Sequence, residues 1–249
     1  LVWNDFLNLV LKKKGHKNIF SIGAPFLYLD KILKYKKKSY GTLVIPSKSA
    51  YEIDIVVDYE NLYKFVKKKF KPPYAFLVGY NDLKRVNKIR NNFKDCKFIT
   101  CGKRTNKYFT FNLYNYLTKY KNVVHFYPGS PLFYSIFLKK KTYYFKKRFV
   151  KNLKGKGVLF RKNKELKLLK EEDDKIVKNI KKETGLDFKN LNSPKNYIKA
   201  QIALGYNCIK PKNELRKLLG WDSNIKIFIS SILKIFIFIR YLKAHLEKI

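Results

Sequence analysis

Between residues 96 and 145 the chain alternates short apolar runs with glycine turns and amphipathic stretches. Phe98-Ile99-Thr100-Cys101 stops at Gly102-Lys103-Arg104, and an aromatic helical pattern follows. Val123-Val124-His125-Phe126 stops at Pro128-Gly129-Ser130-Pro131, and a second helical stretch leads to the run from Thr142 to Phe145. Strand, turn and helix in repetition describe a parallel sheet, because parallel strands need a long crossover to bring the chain back to the same edge. The alternation extends backwards. Thr42 to Ile45 ends at Pro46-Ser47-Lys48-Ser49, Ala75 to Val78 ends at Gly79-Tyr80-Asn81-Asp82, and Ile19 to Ile22 reads as a further short strand ending at Gly23. Helices are expected over 1–14, 26–35, 58–70 with Asp58 as N-cap, and 83–92. The fold class is therefore α/β, with a Rossmann-like, doubly wound parallel sheet.

After Phe145 the pattern changes. Residues 146–164 read as a basic, glycine-containing loop, 164–183 as a charged helix, and 197–204 and 213–219 as two short helices. The organisation expected is an N-terminal Rossmann-like half over 1–70, a nucleotide-binding half over 71–145, a helical extension over 146–223 and an amphipathic helix over 224–249. The chain begins at Leu1 and holds no methionine, so further sequence ahead of it is expected.

The charge is extreme: 56 Lys+Arg stand against 18 Asp+Glu, a net +38. Lys, Asn, Ile, Phe and Tyr all have A/T-rich codons, so compositional drift explains part of this. Whatever its origin, the field attracts polyanions non-specifically. With 46% hydrophobic and 16% aromatic residues the chain has ample core material. Three cysteines without a CxxC pair argue against a disulfide framework, and three scattered histidines against a protein-only zinc site.

In parallel sheets ligands bind beyond the carboxyl ends of the strands, so the chemistry is sought there. Gly102 lets backbone amides approach an oxyanion, while Lys103 and Arg104 add charge; a solvated turn in a lysine-rich chain is the simpler alternative. Ser130 stands where a helix begins, suited to capping it and to meeting a phosphate at its positive end. Tyr134, one turn on, is placed in the same cleft. Asp82 is a candidate general base, or else the N-cap of the helix after it. Ser47, Lys48, Ser49, Glu52 and Asp54 crowd another strand end.

Five segments together resemble a family of bacterial surface-polysaccharide proteins, GT-B-like glycosyltransferases with sialyltransferase-type relatives. They are Ile22 to Leu29 (IGAPFLYL), Gly41 to Asp54, Phe76 to Arg85, Ile99 to Phe109 and Gly129 to Phe145, with a later echo at Glu214 to Trp221. The resemblance implies a GT-B fold and a nucleotide sugar, used as substrate rather than tightly bound cofactor, held at Gly102, Lys103, Gly129 and Ser130, beside which the residue reading adds Arg104 and Tyr134. Asp82, Lys48 and Ser49 are the catalytic candidates, Asp82 from its place at a strand end and Lys48 and Ser49 from theirs after the first strand. Where the family pattern reads PSHS and CGH, this chain has Lys48 and Lys103, which removes two imidazoles from any acid–base role.

Residues 224–249 are apolar from Ile227 to Ile239 with basic flanks. Thirteen helical residues reach about 20 Å, short of a bilayer core of about 30 Å, so a helix lying in an anionic membrane interface is expected, with a buried helix as the alternative. The combined reading is a glycosyltransferase at the cytoplasmic face of the membrane, moving a sugar to a glycan or lipid-linked acceptor without a metal. An inactive homologue and a basic RNA-binding protein of ribosomal or organellar type are the rivals; no RRM, KH or OB signature supports the latter.

Overall fold

The computed structural model describes residues 1–33, 38–47, 53–147, 149–155 and 165–220. The elements are α1 (Asp5–Lys13), α2 (Pro25–Leu33), β1 (Tyr40–Ile45), β2 (Ile53–Val57), α3 (Tyr59–Lys69), β3 (Tyr74–Leu77), α4 (Leu83–Asn87), β4 (Cys96–Ile99), α5 (Phe109–Lys119), β5 (Tyr120–His125), α6 (Ser130–Phe137), β6 (Lys141–Tyr144), β7 (Val150–Gly155), α7 (Glu165–Thr184), α8 (Pro194–Ala203) and α9 (Lys212–Leu218). Five strands form one parallel sheet in the order β4-β3-β1-β5-β6.

Strand alternation builds two cores. Leu43, Leu77 and Val123 point to the face covered by α2, α5 and α6. Val44, Phe76 and Val124 point to the face covered by α3 and α4, where Phe65, Phe126, Phe145 and Phe149 interlock. Because both faces are covered, β3 is buried at every position and reads as an unbroken apolar run. Asp58 caps α3 as its sequence predicts, accepting the Asn61 N–H at 3.3 Å.

The structure departs from the sequence reading in organisation. β1, from the expected first half, is the central strand of a sheet whose other members come from the expected second half, so no sheet boundary falls at residue 70. The expected loop after residue 146 contains β7, which pairs antiparallel with β2 across a bulge at Val56/Val57. The strand expected at residues 19–22 is reduced to a single bridge between Val2 and Ser21. The helix expected over 83–92 stops at Asn87 and resumes as a 3₁₀ turn at Arg90–Asn92.

The C-terminal helices close back on both ends of the fold. Asn192 accepts the Thr142 N–H at 2.8 Å and donates to the Thr142 carbonyl at 3.1 Å, covering the exposed edge of β6 as a neighbouring strand would. At the other end Ala24 N–H donates to the Leu204 carbonyl at 2.8 Å, and Asn4 donates to Ala203 at 2.7 Å. Gly23 and Gly205, both at positive φ, meet here under the Trp3 carbonyl. The IGAPFLYL segment thus owes its glycine to a chain crossing. No helix among the described residues is long and apolar enough to cross a membrane; the candidate interfacial helix at 224–249 lies outside them.

Candidate functional site

The sheet order sets the place. Crossovers run from β1 to β3 to β4 on one side, then jump to β5 and β6 on the other. The carboxyl ends of β1 and β5 therefore lie side by side where the chain diverges, the position at which open α/β sheets hold ligands. Their ladder ends with the Phe126 N–H donating to the Ile45 carbonyl at 3.1 Å. Beyond it one lip is Pro46-Ser47, the other Tyr127-Pro128-Gly129. Ser47 is 6% exposed, and its hydroxyl has no hydrogen-bond partner among the described residues. Such a group is costly unless something occupies the space beside it. Lys48 and Ser49 lie outside the described residues.

Gly129, not Ser130, is the N-cap of α6, and no side chain caps this helix. Ser130 is the first helical residue, and its hydroxyl makes no hydrogen bond among the described residues. Leu132 N–H turns back to the Gly129 carbonyl at 2.9 Å. Pro131 brings no N–H, so the Ser130 amide is the donor left at this helix start, and together with the helix dipole it favours an anion.

Gly102, Lys103 and Arg104 are elsewhere. They follow β4, the sheet edge, with β3 and β1 between them and β5. At about 4.8 Å per strand this separates the two strand ends by about 14 Å. Nearness in sequence fails as a guide because α5 carries the chain across to the far side of β1. Gly102 has φ +85 and its N–H donates to the Thr100 hydroxyl at 3.2 Å. The Lys103 ammonium lies 5.3 Å from the centre of the Tyr80 ring, and Arg104 is exposed in the turn. The expected joint cradle of Gly102, Lys103, Gly129 and Ser130 is thus divided into two places.

Tyr134 and Asp82 are structural in their surroundings. Tyr134 is 6% exposed and stacks on Phe26 at 4.0 Å with planes 3° apart; burial pushes its phenol up to about 12. Asp82 is 3% exposed and lies 3.7 Å from Arg85 Nη1. The same guanidinium grips Asp54 with two bonds of 2.7 and 2.8 Å and donates to the Ile55 carbonyl at 3.1 Å. Arg85 so ties α4 to β2, a role that carboxylate-at-strand-end reasoning misses because the partners are separated by 31 residues in sequence.

His125 also escaped the motif search. It is 1% exposed, with Nε2 3.0 Å from the Ser135 hydroxyl, which itself donates to the Leu132 carbonyl at 2.8 Å. Ser135 is fully buried, so this pair orders α6 on β5 and does not face a substrate. Burial pushes the Cys96 thiol up to about 12, which removes it as a nucleophile at neutral pH. No group of His, Cys, Asp and Glu suited to a metal occurs among the described residues.

A cavity of about 380 Å³ lies beside Gly129 and Ser130, between the start of α1, the end of α7 and the turn after α8. Trp3 and Phe133 line it, together with Asp5 and Glu183. A second cavity of about 350 Å³ sits at the amino edge of the sheet and is lined by Lys139, Lys140 and Lys141. There the Lys140 ammonium donates to the Thr118 carbonyl at 2.6 Å, and burial lowers its pKa. Comparison with family models, with curated proteins and with solved structures returns no match to this chain.

Proposed function

We propose that the protein is a glycosyltransferase of GT-B type that moves a sugar from a nucleotide donor to a glycan or lipid-linked acceptor. The observation that carries this reading is the switch point between β1 and β5, beside which lie an uncapped helix start and a buried Ser47 hydroxyl with no hydrogen-bond partner among the described residues. In the reaction the acceptor oxygen bonds to the sugar's anomeric carbon as the bond from that carbon to the phosphate oxygen breaks. The leaving phosphate gains negative charge. The Ser130 amide and hydroxyl at the positive end of α6 would stabilise that charge, and the Ser47 hydroxyl would donate from the opposite lip.

This alters the roles expected from sequence. Lys103 and Arg104 contribute to the field that draws the donor in but follow β4, whose end lies about 14 Å across the sheet from that of β5. Asp82 shares the Arg85 guanidinium and serves as a clamp. The resemblance to surface-polysaccharide proteins supports the donor class, and the basic, apolar segment 224–249 supports work at the inner membrane face. Calorimetric titration of nucleoside diphosphates, nucleoside monophosphates and their sugar conjugates tests the reading. Ser47→Ala and Ser130→Ala should each weaken binding severalfold, and Lys103→Ala should leave it within about twofold at moderate salt. Absence of nucleotide binding by the unaltered chain refutes the function; equal binding by both serine variants refutes the site.

A further inference from the structure

Lys and Arg make up 56 of the 249 residues, yet none occurs among the eighteen that line the cavity beside Ser130. Its charged residues are Asp5 and Glu183 alone, and neither forms an ion pair among the described residues. In a chain with three bases for every acid, walls that carry two carboxylates and no base stand out. Asp5 accepts from the Cys208 thiol at 3.5 Å, and Lys210, the base that feels its charge, lies outside the lining and pairs with Glu214. The lysine-lined cavity at the opposite edge shows how the same composition treats an ordinary opening.

We infer that this cavity binds an uncharged carbohydrate, and that the sugar it holds is the acceptor of the transfer proposed above; the second half of this statement rests on that reading. Three features select the ligand class. A phosphate would meet two carboxylates on walls that carry no cation among the described residues. A cation would face the positive end of α6 and the +38 field of the whole chain. A neutral sugar incurs neither repulsion and uses groups of both kinds. The carboxylates accept from its hydroxyls, while the Ser130 hydroxyl and the start of α6 donate to them. The rings of Trp3 and Phe133 offer flat apolar surface to its C–H face. The volume of about 380 Å³ is within the range of small-molecule sites and suits a unit of one or two sugars. Gly129 and Ser130 border both this cavity and the switch point, which places an acceptor hydroxyl next to the donor phosphate.

The chain has two tryptophans, so Trp221→Phe leaves Trp3 as the only indole and makes it the reporter. In that full-length background a panel of neutral methyl glycosides, including glucoside, galactoside and the N-acetylated amino sugars, is titrated while Trp3 emission is followed. At least one should give saturable quenching. Glu183→Gln and Asp5→Asn should each weaken it about tenfold, the loss expected for one hydrogen bond to a charged group. Lys139→Ala, in the cavity at the opposite edge of the sheet, should leave it unchanged. Both carboxylates are exposed, and circular dichroism checks that the variants stay folded. No quenching by any glycoside overturns the inference, as does wild-type affinity in both carboxylate variants. Saturation by spermidine, or by inorganic phosphate, in place of the sugars overturns it also. Sugar binding without nucleotide binding leaves the carbohydrate site standing and removes the transferase reading.

Discussion

Gly205→Ala should unfold the junction between the C-terminal helices and the N-terminus. Gly205 has φ +71, a conformation that costs an alanine about 1–2 kcal/mol. The added Cβ would also lie 1.8 Å from the Trp3 carbonyl oxygen and 2.7 Å from its carbon, both backbone atoms that cannot rotate away. Relief requires the turn after α8 to move off the N-terminal segment. That movement strains the Ala24 to Leu204 bond, the Gly23 to Trp3 bond and the Asn4 to Ala203 bond, each worth about 0.5–1.5 kcal/mol net. Losing two of the three together with the conformational cost gives about 3 kcal/mol, or about 6–12 °C in Tm for a chain of this length. Gly15 supplies the control: it has φ +85 but nothing within 4 Å of its would-be Cβ, so Gly15→Ala reads the conformational term alone. Urea unfolding of both variants separates the two contributions. If Gly205→Ala costs no more than Gly15→Ala, the crossing does not hold the fold together and the argument fails.

Arg85→Leu should cost about 2–3 kcal/mol in urea, since it removes the guanidinium beside a buried Asp82 together with the two bonds to Asp54. This is below the loss typical of a fully buried pair because Arg85 and Asp54 are each at least a third exposed. Adding Asp82→Asn should recover part of the loss, and no recovery would show that Asp82 is not Arg85's dependent. Asp58→Ala should remove a cap worth about 1 kcal/mol at neutral pH. Burial tends to raise the Asp58 pKa, but hydrogen bonds from Asn61 and the Lys151 ammonium outweigh it and hold the carboxyl below its usual value. A lowered folded pKa means stabilisation present above the unfolded value near 4 and lost as pH falls through the folded one. The gap between Asp58→Ala and the parent should therefore close in acid, and a pH-independent gap refutes the linkage. Removing residues 224–249 should abolish sedimentation with anionic vesicles while the thermal transition of the sheet domain persists. Complete release of the full chain by salt alone would instead assign vesicle binding to its diffuse charge.

The periodic elements were legible in the chain because each is dictated by neighbours in sequence. Thr42 to Ile45, Ala75 to Val78 and Val123 to Phe126 are apolar runs bounded by turn residues, and strands lie there within three residues of the expected limits. Asp58 followed by an amphipathic stretch announces its helix for the same local reason. Gly129 and Ser130 were found because a glycine-serine turn before a helix has a recognisable pattern, although the cap fell one residue earlier. What the tertiary structure decided is which of these pieces stand side by side. Nothing local to Gly102 or Gly129 records that α5 crosses to the far side of β1, so adjacent turns in sequence became separate places in space. The β2–β7 pairing, the hold of Arg85 on Asp54 and the Gly23–Gly205 crossing under Trp3 join segments remote in sequence. So does the base-free cavity, whose walls come from α1, α6, α7 and α8. Side-chain periodicity selects an element's type and buried face, whereas strand order and cavities depend on where the crossovers land, a property of long-range packing.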